Sequence, residues 1–431
     1  MGLTLSTHPL FIKNHPITMR VFPFLLFVAS ATAALAQAPA DANATVKHDF
    51  TVYDPNYQTE WTARAARLSE LKTKLMEQAS TGVKNPVAQQ ILFEAGTLLL
   101  STADFKRIDR RTDDLVAAMD HPSLDKQDAD GMWGSGSEQW FLKLDNTFSR
   151  FSDDARNLPD GPPRPLPAFL DRVSTPAKLT VWLDAIATSD VQHTGIDHGL
   201  EFNLTISDLV RMLILGEPEN FKIDPALRDA FLDLLKNKYR DPKTGFWGER
   251  FQHDGQVDFQ PDISTTFHII SYLHGDVPDM PRVADSLLAV KDLNDPAGWL
   301  SSGHYWNHNN MDVVTVFAYA WPTASAAQRQ AMSTEIGKMV DWCLKESLQP
   351  DGSFKTTIGD LSQEYAEYFG VEFLDEAGYF SSTKRFWTDR NFPEAAAMKQ
   401  KIIDFIKQHN NTGVSGDSYQ ESLAELSHIK D

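Results

Sequence analysis

The sequence predicts an all-α protein, an (α/α) toroid of about six helical hairpins. Three observations lead there. A turn mark of Asp, often Pro, then Gly and an aromatic recurs as "DADGMWG" ending at Gly134, "DPKTGFWG" at Gly248, "NDPAGWL" at Leu300 and "QPDGSF" at Phe354. Trp247 to Trp299 is about 52 residues and Trp299 to Phe354 about 55. The gap from Trp133 to Trp247 is about twice that, with "HTGIDHGLEF" near its middle. A period near 55 suits a helical hairpin with one elaborated loop. Secondly, apolar residues fall at three- and four-residue spacing on both sides of each mark. Thirdly, no stretch shows the sustained alternation of a strand.

Taken in chain order, the N-terminus reads first as a targeting signal. After Met19-Arg20 comes "VFPFLLFVASATAALAQAPA", a basic start and a short apolar run. Ala34-Leu35-Ala36 supplies the small-x-small pattern of signal peptidase, with cleavage before Gln37, and the residues ahead of Met19 read as an upstream start. Residues 1–36 are thus expected to be removed, 37–60 to be extended, and 61–431 to form a single domain. No other apolar run is long enough for a bilayer. The expectation is a secreted protein, periplasmic in a Gram-negative host, and monomeric.

Outer helices are expected in "PALRDAFLDLLKNKY", "PRVADSLLAVKDL" and "STEIGKMVDWCLKESL", each ahead of a mark. Inner helices are expected in "NLTISDLVRMLILG", "PDISTTFHIISYLHG", "NNMDVVTVFAYAW" and "SQEYAEYFGVEFLDEAGYF". Each opens polar and continues apolar. "SYQESLAELSHIKD" adds a last helix. Inner helices of a ring start at one mouth, so their first turns and the preceding loops converge there, with free N–H groups and partial positive charge. Asn203, Asp262, Asn310 and Asp360 are expected at that end.

Composition narrows the partners. A net charge of −19 excludes sequence-independent nucleic-acid binding and weighs against a polyanionic substrate. The single cysteine, Cys343, rules out an internal disulfide framework and reads as a core residue. Ten Trp could serve as sugar platforms, but most are expected to pack.

Polar clusters gather at the expected mouth. "SSGHYWNHNN" holds His304, Tyr305, Trp306, His308, Asn309 and Asn310, with Asn309 or Asn310 as a helix cap. His193 and His198 flank "TGID" ahead of Asn203; with Asp197 they make a weak metal pattern, and no metal or other cofactor is expected. Glu249 and His253 lie in "GERFQHDG", and Glu364, Tyr365, Glu367 and Tyr368 in "GDLSQEYAEYF". His268 reads as packing inside the ring.

The Asp-Gly-aromatic turns followed by "PDISTTFHII" resemble repeats of the terpenoid cyclase and protein prenyltransferase superfamily, a likeness of fold, without the cyclases' D-x-D-D motif. "RPLPAFLDRVSTPAKLTVWLDAIATSDV", "TGIDHGLEFNLTISDL" and "NHNNMDVVTVF" resemble secreted α/α-barrel polysaccharide lyases, in particular the glucuronan and alginate lyases of polysaccharide lyase family 38. That resemblance implies β-elimination on a uronate-containing polysaccharide. The substrate carboxylate must be neutralised by Asn, His, Arg or a protonated acid, and a Tyr or His must take the C5 proton and supply one to the leaving oxygen. Tyr305 is the expected base and acid, Asn203 the neutraliser, with His253 and His198 beside them. His193, Glu249, His304, Trp306, His308, Asn309, Asn310, Glu364, Tyr365 and Tyr368 are the expected substrate contacts. Two readings compete: an α/α-toroid glycoside hydrolase using paired acids among Asp197, Asp262, Asp312, Asp360 and Glu364, and a non-catalytic glycan-binding toroid. Asn203 could equally be an N-cap, His253 a solvated loop residue, and the 301–314 stretch a capped turn.

Overall fold

The computed structural model describes residues 56–155, 167–216, 223–301, 303–356, 363–409 and 416–429. The expected signal peptide, Asp360 and nearly all of segment 37–60 lie outside these. Helix α1 (Tyr57–Ser80) already includes the last residues of the segment expected to be extended. It packs on α2 (Pro86–Ser101) and α3 (Phe105–Asp120) around a core of its own that includes Trp61, Leu68, Leu92 and Leu115.

From there helices alternate between two environments. One set is α4 (Trp140–Ala155), α7 (Gly199–Leu213), α9 (Ile263–Tyr272), α11 (Asn307–Ala320), α13 (Gln363–Glu376) and α15 (Gly416–His428). The other is α5 (Pro176–Ile186), α8 (Pro225–Asp233), α10 (Met280–Ala289), α12 (Ala326–Trp342) and α14 (Ala395–His409), with a one-turn α6 (Val191–Thr194) between α5 and α7. Most residues of α7, α9, α11 and α13 are buried, whereas α8, α10, α12 and α14 bury one face. A helix buried nearly all round belongs to an inner layer and an amphipathic one to the surface. Contacts agree: α4 meets α7, α7 meets α9, α9 meets α11, α11 meets α13 and α13 meets α15. The protein is therefore all-α, and its described helices form an arc of inner helices backed by outer ones. No comparably extensive contact joins α15 back to α2 or α4 among the described residues.

The turn marks have a mechanical role. The N–H of Trp133 donates to Thr147 Oγ1 (2.9 Å), that of Trp247 to Thr266 Oγ1 (3.0 Å) and that of Phe354 to Glu367 Oε1 (2.8 Å). In the remaining mark Asn309 Nδ2 donates to the Trp299 carbonyl at 3.2 Å. Each mark thus clamps its loop to the inner helix that follows. The rings themselves are core: Trp247, Trp299 and Phe354 are fully buried, as is Cys343. Phe354 lies over Gly370 of α13, where a Cβ would come within 2.4 Å of the ring.

Three local expectations are corrected. Strands do exist: β1 (Gly248–His253) and β2 (Gln256–Pro261) pair antiparallel across Asp254-Gly255, both with positive φ, the two-residue turn that matches strand twist. The inner helix expected to open at Asn203 begins at Gly199, because Asp197 Oδ1 accepts the Gly199 N–H at 2.8 Å. Helix α11 begins at Asn307 after Trp306, so Asn309 and Asn310 lie inside its first turn rather than capping it.

Candidate functional site

Long loops precede α4, α9, α11 and α13, which sets the mouth at the N-terminal ends of the inner helices, and at the start of α7 several expected residues meet. His198 Nδ1 lies 2.8 Å from Glu201, which together with nearby Asp197 raises the imidazole pKa above its ordinary value. The Glu249 side chain lies against Gly199, where an added Cβ would fall 2.1 Å from its Oε1. Glycine is what lets this carboxylate reach the helix start. His193 is exposed and bound to Asp190 at 2.7 Å; it is not drawn into the group. His253 ends β1 beside the hairpin turn, mostly exposed, four residues along the strand from Glu249.

Deeper in, each inner helix that is otherwise buried leaves one half-buried stripe. On α7 it is Leu200, Asn203 and Ser207; on α9, Ser264 and His268; on α13, Tyr365, Tyr368, Glu372 and Glu376. On α11 it runs from His308 through buried Asp312 and Thr315 to Tyr319. Spacings of three and four put each set on one helix face. Several stripes interact across the helix interfaces. His308 packs on Phe369 at 4.1 Å and meets Tyr365 edge-on at 6.1 Å. His268 acts electrostatically on His308, Tyr272 and Glu425 on Tyr368, and Glu376 on Tyr319. The stripes of α9, α11 and α13 thus share one half-buried face, the candidate cleft, with Asn203 on the corresponding stripe of neighbouring α7.

Burial sets the protonation here. It lowers His268 to about 4 and His308 to about 3, the latter helped by His268, so both imidazoles are neutral near pH 7. It raises Asp312, aided by the like charges of Asp295 and Asp262, and raises Glu372, aided by Glu425 and Glu376. His308 Nε2 lies 4.0 Å from Asp312 Oδ2, one turn on. Both Asp312 oxygens, both Asn310 amide atoms and Nδ1 of His268 and of His308 have no hydrogen-bond partner among the described residues. Native interiors carry few such atoms, and each calls for an explanation.

Tyr305, expected as the proton acceptor and donor, is not brought to this cleft. Its ring lies 6.0 Å from Trp342 of α12. Burial and then Glu335 raise its pKa, with Lys338, Lys291 and Asp292 as its other charged neighbours. It thus faces the outer layer, away from His308, because the chain enters α11 between the two. His304 beside it is exposed. Trp306 is buried and supports His308 at 4.7 Å. Asn309 is spent on its clamp and Asn310 is fully buried. Glu364 is buried and accepts the Tyr419 N–H at 3.4 Å, tying α13 to α15. Asp262 caps α9 through the Thr265 N–H at 2.7 Å. Tyr365 and Tyr368 lie on the half-buried stripe of α13.

Residues missed from sequence are Arg172, Trp140, Glu201, Glu372 and Glu376. The last two had a signal, the regular spacing from Tyr365. Arg172 had none, since it is set by a loop. An open groove of about 520 Å³ between α1 and α3 is lined by others, including Arg67, Lys74 and Asp120. Among the described residues no group of three or more His, Cys, Asp or Glu is placed to hold a metal ion, and no helix is long and apolar enough to cross a membrane. Compared with protein-family models, with curated proteins and with solved structures, the chain matches none.

Proposed function

We propose that the protein is an exported polysaccharide lyase that takes a uronate-containing chain into the cleft of α7, α9, α11 and α13, within a toroid closed by its remaining helices. The observation that carries this reading is the row His268, His308 and Tyr365 on three adjacent inner helices. Neutral imidazoles keep an N–H to offer a substrate carboxylate, and the Asn203 amide offers another donor. Those contacts delocalise charge away from C5 and make its proton removable. Tyr365 takes that proton as base and supplies one to the leaving oxygen, the role first expected of Tyr305.

A second reading has its own support. Glu372 and Glu376 lie on the same cleft with raised pKa values, as a glycoside hydrolase needs of its general acid. One experiment separates the two. The protein is incubated with glucuronan, alginate, pectate and neutral glucans while ultraviolet absorbance of unsaturated uronate and new reducing ends are followed. Absorbance with the acidic polymers supports the lyase; reducing ends without it mean hydrolysis; neither signal ends both.

A further inference from the structure

Arg172 follows the short helical turn Ala168–Asp171, and its guanidinium lies over the indole of Trp140, 3.6 Å from the ring centroid. Trp182 stands 5.3 Å away and meets Trp140 edge-on at 5.3 Å. Stacking occupies the face of a guanidinium and leaves its edge, with five N–H donors in a fork that matches a carboxylate. Among the described residues that edge makes no hydrogen bond and no ion pair. Arg64, Arg110 and Arg390, by contrast, are all engaged by carboxylates. The charge felt by Arg172 is Glu201, which His198 already holds at 2.8 Å. Burial of the cation outweighs that influence and lowers its pKa.

The place matters as much as the chemistry. Trp140 opens α4, and His198 and Glu201 open α7, two inner helices in contact, so Arg172 lies at the mouth and not in the row of His and Tyr. In a chain of net charge −19, a half-buried cation at the mouth that makes no ion pair among the described residues, with only the already engaged Glu201 acting on it, is suited to an anionic ligand.

We infer that Arg172, held on Trp140, is a binding site for the carboxylate of a sugar acid, one that seats a uronate away from the bond being cleaved. This rests on the cleft being a site for uronate polymers. It also answers the objection that so acidic a protein should repel such a chain.

Affinity electrophoresis in gels carrying glucuronan or neutral hydroxyethylcellulose tests it, with wild type, Arg172→Gln and Arg172→Lys compared after their thermal melts. Arg172→Gln should bind glucuronan roughly ten- to hundredfold more weakly, the worth of a charge-assisted pair, while its behaviour with the neutral polymer is unchanged. Arg172→Lys should lie between, since it keeps the charge and loses the fork; it carries the test if the Gln variant does not fold. Undiminished glucuronan binding in Arg172→Gln, equal losses for both polymers, or wild type that ignores glucuronan would overturn the site. Arg172-dependent binding without any unsaturated product leaves the site standing and removes the lyase proposal. Elimination with unchanged KM in Arg172→Gln does the reverse.

Discussion

Replacing Glu367 with Gln should stabilise the protein increasingly as pH rises. The carboxyl is fully buried; Oε1 accepts the Phe354 N–H at 2.8 Å and Gln363 Nε2 at 2.7 Å, while Oε2 has no partner among the described residues. Burial raises its pKa from 4.5 to about 8, against the opposing pull of those two donors. A folded pKa above the unfolded one means that the native state keeps a proton which the unfolded chain releases. The stabilisation is complete below pH 4.5 and is lost as pH rises through about 8. From pH 4.5 to 7 the loss is on the order of 3 kcal/mol, at roughly 1.4 kcal/mol per pH unit. Gln preserves the acceptor at Oε1 and cannot ionise, so the two proteins should be nearly equal near about pH 4 and differ by about 3 kcal/mol near pH 7. For a chain of this length, with unfolding entropy of about 2 cal/mol/K per residue, that is a rise in Tm of roughly 3 °C. Urea unfolding followed by circular dichroism across this range reads it directly. A difference that does not change with pH, or a Gln variant weaker near neutrality, would refute the argument from burial. Glu367→Ala, which also drops both hydrogen bonds, should instead lose about 2 kcal/mol or more at low pH.

In the proposed elimination, Tyr365→Phe should abolish formation of unsaturated product and Asn203→Ala should slow it by roughly two to three orders of magnitude, while Tyr305→Phe should keep near-normal kcat; loss of activity only in Tyr305→Phe would return the base to the outer-layer tyrosine. Gly370→Ala should destabilise by roughly 1–3 kcal/mol in chemical unfolding despite alanine's better helix propensity, since its Cβ meets the Phe354 ring; a more stable variant would mean that the ring moves freely. Thr266→Val, nearly isosteric, should cost about 1–2 kcal/mol by leaving the Trp247 N–H without its acceptor; an unchanged unfolding midpoint would show that the clamp does not hold the loop.

Helix periodicity made the layers legible, because inner and outer helices bury different fractions of their faces and so carry different apolar patterns. "PALRDAFLDLLKNKY" and "PRVADSLLAVKDL" lie where their spacing put them. The hairpin was missed although Asp254-Gly255 is the strongest short-range hairpin signal, since its strands are mostly polar and only Val257 and Phe259 of β2 give a short apolar alternation. Within "SSGHYWNHNN" the residue types pointed to a site, but not the direction of each side chain. Tyr305 precedes the helix and turns outward, while His308, three residues on, turns inward; that divergence depends on where α11 starts, and Trp306 hid the start by not being a capping residue type. The Glu201–His198 pair follows from a helix beginning at Gly199 instead of Asn203. Arg172 over Trp140 is a contact between distant segments and leaves no local pattern to read.

The clamps between turn marks and inner helices span only 10 to 19 residues of chain. Contacts of that range close in about 10–100 ns, long before distant segments find each other. Each stretch of the rim can therefore take shape with its own hairpin, from contacts local in sequence. A loop exchanged between two marks would then alter what the mouth recognises without changing the route by which the rest of the chain folds.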